Sequence, residues 1–197
     1  LLGQGAEAIV LACNTATAVA AGMMRAQYPS VPIIGIEPAL KPASMVKKHP
    51  RVLCMATPLT LEMPKYRALE ERFSGISEID DLKCPGLMEL IEEGHLHDEV
   101  LRDYLHRLLA PYRSGKYDAC VLGCTHYPHV REEIQKELGK DCLILDGGEG
   151  TARETRRRMA EIGHLKDAYR RGQVTFVNSL NSAFTNELAR RLTFDVE

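Results

Sequence analysis

Six short runs are apolar at nearly every position, and no other feature constrains the fold of this chain so tightly. They are residues 8–13 (AIVLAC), 31–36 (VPIIGI), 51–56 (RVLCMA), 119–124 (ACVLGC), 142–146 (CLILD) and 173–177 (QVTFV). A strand with one wet face alternates apolar and polar residues. Strands covered on both faces, as in a parallel sheet, do not. Between the runs lie helical patterns: residues 14–27, rich in Ala and Met, then 60–73, 97–113, 128–138, 151–162 and 180–192. The fourth has Pro128 at its start and Gly139 just after its end, a start and stop pair with a steric cause. Strand–helix alternation of this kind predicts an α/β class with mostly parallel sheets. Two prolines after a strand in GIEPALKP (35–42), and adjacent glycines in LDGGEGT (145–151), mark places where the chain crosses between domains.

The bulk chemistry excludes several classes. A net charge of −2 gives no footing for nucleic acid or an anionic membrane as the main partner. No apolar run approaches the ~18–20 residues of a membrane span, and no signal peptide is visible, so a cytoplasmic location is expected. The six cysteines then read as reduced thiols. None forms a CxxC pair, and no metal site is predicted.

Two of those cysteines end apolar runs and are followed at once by polar side chains. Cys13 precedes Asn14 and Thr15; Cys124 precedes Thr125 and His126. In open α/β sheets, ligands gather outside the carboxyl ends of strands. A helix starting there offers unpaired N–H groups that bind carboxylates and lower a thiol's pKa. Either turn alone also reads as packing plus a helix cap. Cys54, Cys84, Cys120 and Cys142 lack this context and read as core or loop residues. A single activated thiol with His126 would suit a Cys–His hydrolase or transferase. Two equivalent thiols suit a different chemistry, in which one removes a proton and the other delivers one to the opposite face. That is racemisation, without a cofactor, at a carbon beside a carboxylate.

At these residues the chain resembles the glutamate racemases of the aspartate/glutamate racemase superfamily. The resemblance runs through ACNTATA (12–18), IIGIEPALKPA (33–43), ATPLT (56–60), LIEEG (90–94), LGCTHYP (122–128) and LDGGEGTA (145–152). It implies two Rossmann-like or flavodoxin-like α/β domains facing each other across a cleft. Residues 1–37 with 147–197 would form a discontinuous first domain, and 38–146 an inserted second one. Cys13 and Cys124 would flank the substrate Cα from opposite domains. Asn14, Thr15, Thr60 and Thr125 would hold the substrate's carboxylates and amino group. His126 would support Cys124. Glu92 matches a glutamate linked to the active site, though taken alone it reads as a solvated surface charge. The implied activity is interconversion of L- and D-glutamate with no cofactor and no metal, supplying D-glutamate for peptidoglycan. Family members begin with a strand, an Asp-Ser loop and a Pro-Tyr-Gly loop, which do not precede Leu1 here. The expectation is therefore a sheet short of its first strand and a less active enzyme. Two alternatives stay open: a racemase of another acidic amino acid, and an inactive chain serving as an interaction module or homodimer.

Overall fold

The computed structural model describes residues 1–113, 115–165, 172–180 and 182–194. The chain starts with β1 (Ile9–Leu11), α1 (Asn14–Gln27) and β2 (Ile33–Gly35). The two strands pair in parallel, Ile9 opposite Ile33, as the only strands of their sheet among the described residues. One edge of β1 thus carries no strand there, and Val10 is 43% exposed. After α2 (Leu40–Ala43), a second parallel sheet follows. Its path is β3 (Arg51–Ala56), α3 (Pro58–Glu62), α4 (Pro64–Ser74), β4 (Glu78–Lys83), α5 (Leu87–Glu92), α6 (Glu99–Leu109), β5 (Ala119–Leu122), α7 (Arg131–Leu138) and β6 (Leu143–Asp146). The strand order is β4-β3-β5-β6. Finally α8 (Gly148–Glu161) returns to pack beside β2, and α9 (Ala183–Phe194) follows.

The uniformly apolar runs of β3 and β5 are explained by two cores, one on each face of the larger sheet. Leu53 and Met55 of β3 point into a core with α5, α6 and α7. Their neighbours Val52, Cys54 and Ala56 point into the other, against α2 and α4. With a side-chain period of two, a strand buried on both faces has no position left for a polar residue. On α6, Leu101, Leu105 and Leu109 recur every fourth residue and are fully buried, while Asp98 caps the start by accepting the Leu101 N–H at 3.1 Å.

Several expectations are corrected. Residues 173–177 form no strand; Val174 and Val177 are exposed and no described strand lies alongside. β-branched residues favour a strand only where a ladder and a face exist to receive them. The helix expected over 60–73 is two helices. Met63 between them is extended because Pro64 excludes the helical region for the residue before it. The helix expected over 128–138 opens as a tight 3-10 turn, Tyr127–Val130, before α7. β4, with the sequence EIDDLK, was not foreseen; it is a sheet edge, where charged residues are tolerated.

The chain crosses between the sheets near residues 36–37 and again near 146–147, and the crossings touch. A Cβ at Gly147 would stand 2.5 Å from the Glu37 carbonyl oxygen and 2.7 Å from Ile36 Cγ1. Only glycine permits that approach.

Candidate active site

In the larger sheet the strand order reverses direction at β3 and β5, which are neighbours although β4 lies between them in sequence. Ligands of open α/β sheets bind at such a point, outside the carboxyl ends of the strands. Thr57 and Thr60 leave the end of β3 there, and Cys124 leaves the end of β5. Gly123 makes the second exit possible. Its N–H donates to the Met55 carbonyl at 2.7 Å, and a Cβ would lie 3.0 Å from both that oxygen and Ala56 Cβ. From the smaller sheet, β1 delivers Cys13, the N-cap of α1, with extended backbone and an exposed thiol.

The two cysteine turns grip one another. Asn14 Nδ2 donates to the Gly123 carbonyl at 2.8 Å. Thr125 Oγ1 donates to the Ala12 carbonyl. In each turn, the residue after the cysteine bonds the carbonyl of the residue before the other cysteine. Beside this clasp, Thr15 Oγ1 lies 2.9 Å from Thr60 Oγ1, which lies 2.9 Å from Thr57 Oγ1. Asn14 is 7% exposed and its Oδ1 has no hydrogen-bond partner. A buried acceptor without a donor costs about 1–3 kcal/mol, so this atom is suited to an incoming N–H.

The thiols sit in different surroundings. Cys124 is 9% exposed. Burial raises its pKa above the ordinary thiol value; the His126 backbone N–H opposes this, and the neighbouring Cys13 and Glu89 add to it. Cys124 Sγ is 3.7 Å from His126 Nδ1, and His126 Nε2 is 2.9 Å from Glu92 Oε1. An ionised carboxylate only accepts, so Nε2 carries the proton and Nδ1 presents a lone pair to the thiol. The thiol, imidazole and carboxylate thus form a short path along which the thiol proton can leave. Cys124 and Thr125 also line a cavity of about 770 Å³ that reaches Ala12, Asp146 and α8.

The sequence-predicted residues Cys13, Asn14, Thr15, Thr60, Cys124, Thr125, His126 and Glu92 all belong to this connected set. Sequence reasoning missed Thr57 and His129. Thr57 could have been found: a Thr just before a Pro that starts a helix is a capping signal. His129 lines the cavity, and burial holds its imidazole below its ordinary value, with His126 acting in the same direction. Nothing in its sequence context marked it. Among the described residues, no three His, Cys, Asp or Glu side chains gather as a metal site.

Residues 1–155 match the family described as Asp/Glu/Hydantoin racemase. Glutamate racemase of Clostridium botulinum (strain Alaska E43 / Type E3) is 42% identical over 192 residues, covering 98% of this chain and 74% of the relative. The structure of Escherichia coli glutamate racemase, solved with L-glutamate and the activator UDP-MurNAc-Ala, superposes with a TM-score of 0.71 at 32% identity. That match covers 78% of this chain and 58% of the other, so the chain spans little more than half of that protein. Glutamate racemase of Francisella tularensis, solved with D-glutamate, gives a TM-score of 0.76 over 97% of this chain and 71% of its own; at 22% identity it speaks for the fold alone.

Proposed function

This chain belongs to the Asp/Glu/Hydantoin racemase family, on its glutamate racemase branch, and we propose that it interconverts L- and D-glutamate by passing the α-proton between two thiols. Residues 1–37 with 147–197 act as one lobe and 38–146 as the other, with the substrate held between them. One cysteine, as thiolate, takes the proton from Cα. The electron pair left on carbon spreads into the α-carboxylate. The other cysteine, as thiol, then protonates the opposite face. Each turnover leaves the two thiols with exchanged protonation states, ready for the reverse direction. No cofactor takes part in these steps.

The observation that carries this reading is the reciprocal clasp between the Cys13 and Cys124 turns. A Cys–His hydrolase would explain Cys124 and His126 but leave a second cysteine turn, locked to the first, without a role. In the racemase, Asn14 Oδ1 accepts from the substrate ammonium. Thr15, with the N-terminus of α1, donates to the carboxylates, while Thr60 backs Thr15 and Thr125 fixes the Cys124 turn against Ala12. Burial keeps Cys124 protonated and ready to deliver; His126 receives its proton when Cys124 must act as base, and Glu92 orients His126. The product D-glutamate would serve peptidoglycan synthesis in the cytoplasm.

The test is optical. L- or D-glutamate incubated with the protein should lose its circular dichroism signal toward zero from either side. Cys13→Ala and Cys124→Ala should each abolish this loss, since one thiol cannot serve both faces. In D2O each variant should still exchange the α-proton of one enantiomer, and the two variants opposite ones. Full racemisation by either variant would remove that cysteine from the mechanism. Faster racemisation of aspartate would move the reading to another acidic amino acid.

A further inference from the structure

We propose that Thr57 is a positioning residue whose hydroxyl, acting through Thr60, turns the hydroxyl proton of Thr15 into the cleft as a donor to the substrate's carboxylate. The inference rests on the site reading given above and adds a residue and a direction to it.

The argument starts from what a hydroxyl can do: donate once and accept twice, with a proton free to rotate. Three hydroxyls lie in a row, Thr57, Thr60 and Thr15, each link 2.9 Å long. The row can be polarised in either direction, and a carboxylate at the Thr15 end, which only accepts, selects one of them. The Thr60 backbone N–H, which can only donate, points to Thr57 Oγ1 at 3.3 Å. Thr57 oxygen already accepts there. If it also accepted from the Thr60 hydroxyl, the Thr15 proton would be consumed on Thr60, and the half-buried Thr57 would turn its own proton to water. In the opposite sense the spare proton stands at Thr15. Thr57 donates to Thr60, Thr60 donates to Thr15, and Thr15 has its proton to spare. Thr60 is 4% exposed, so water does not readily offer its hydroxyl a third choice.

Polarised this way, each bond strengthens the next. The end of the row suits a carboxylate, which only accepts. Reversed, it would face that carboxylate with lone pairs. The row also crosses between the sheets. Thr57 and Thr60 follow β3 of the larger sheet, whereas Thr15 lies on α1 beside the smaller one. The donor is therefore aligned only while the two sheets are closed on each other.

Thr57 also caps α3, so a test must separate capping from polarity. The readouts are the dissociation constant of D-glutamate by titration calorimetry, and the midpoint of thermal unfolding. Thr57→Val should weaken binding about fivefold, the scale of one hydrogen bond. Thr57→Ser should restore it. Thr15→Val should weaken binding at least as much. Thr57→Val added to Thr15→Val should weaken it no further, because the donor that Thr57 directs is already gone. The loss of the cap should lower the unfolding midpoint equally in both backgrounds. Multiplying effects of the two substitutions on binding, or failure of Thr57→Ser to rescue, would overturn the proposal. If Thr15→Val weakens binding and Thr57→Val does not, the proposal falls alone. An unchanged constant in Thr15→Val would bring down the site reading as well.

Discussion

The Cys13 turn and the Cys124 turn have the same local sequence logic and opposite surroundings. Both end a parallel strand, both place a polar residue after the thiol, and each bonds the other's backbone. Yet β1 has one strand neighbour among the described residues, while β5 lies between β3 and β6. The Cys13 thiol is exposed; the Cys124 thiol is buried beside an imidazole backed by a carboxylate. The mirror-image chemistry proposed for the two thiols does not require a mirror-image pair. Burial withholds the charged form from Cys124, and His126 supplies an acceptor to offset that cost. Cys13 stands open to water, with no imidazole hydrogen-bonded to it among the described residues.

The sharpest way to break this contrast is to remove the imidazole in single-thiol backgrounds. On the proposed mechanism only Cys124 should exchange the α-proton in Cys13→Ala, and adding His126→Ala should slow that exchange by about 10²–10⁴, the worth of a positioned base. In Cys124→Ala the same substitution should leave exchange by Cys13 nearly unchanged. NMR of the α-proton in D2O measures both. Equal losses would mean that His126 serves the site as a whole, and the asymmetry would be gone.

The second test concerns the sheets that carry the turns. Leu53→Ala, in the fully buried centre of β3, should cost about 2–5 kcal/mol of stability. Val10→Ala on β1 should stay within about 0.5 kcal/mol, since its side chain is half in solvent already. Denaturant unfolding reads both, and comparable losses would show that β1 is as firmly held as β3.

The smallest effect sharpens the role of Glu92. Its side chain is 59% exposed, and so exposed an ion pair contributes no more than about 1 kcal/mol. Glu92→Gln should therefore slow Cys124-side exchange less than tenfold. A loss as large as that from His126→Ala would assign Glu92 a share in the proton path beyond orienting the ring.

The same contrast explains what could be read from the sequence. The larger sheet was legible in β3 and β5 because burial on both faces writes an unbroken apolar run, and in β6 because its apolar run persists at the sheet edge, where Leu143 is half exposed. β4 was not, since an edge strand can carry Glu78, Asp80, Asp81 and Lys83 without penalty. Residues 173–177 carried the composition of a strand without a place in a ladder, and local pattern cannot tell the two apart. At the site, the cysteines and their polar neighbours stood out because thiols at strand ends are chemically conspicuous. The Asn14 and Thr125 clasp was invisible, since its acceptors are backbone carbonyls of Gly123 and Ala12, which any residue would supply. Thr57 was legible as the cap of α3 but not as the end of a row of hydroxyls, since the link through Thr60 to Thr15 exists only after the chain folds.

The contact at Gly147 has a mechanical consequence. Ile36–Glu37 lies under Gly147, so the two connections between the sheets are laid against each other and share one bracing point. A methyl group at residue 147 would force the two connections apart and displace the Cys13 turn relative to the Cys124 turn, from a position outside both.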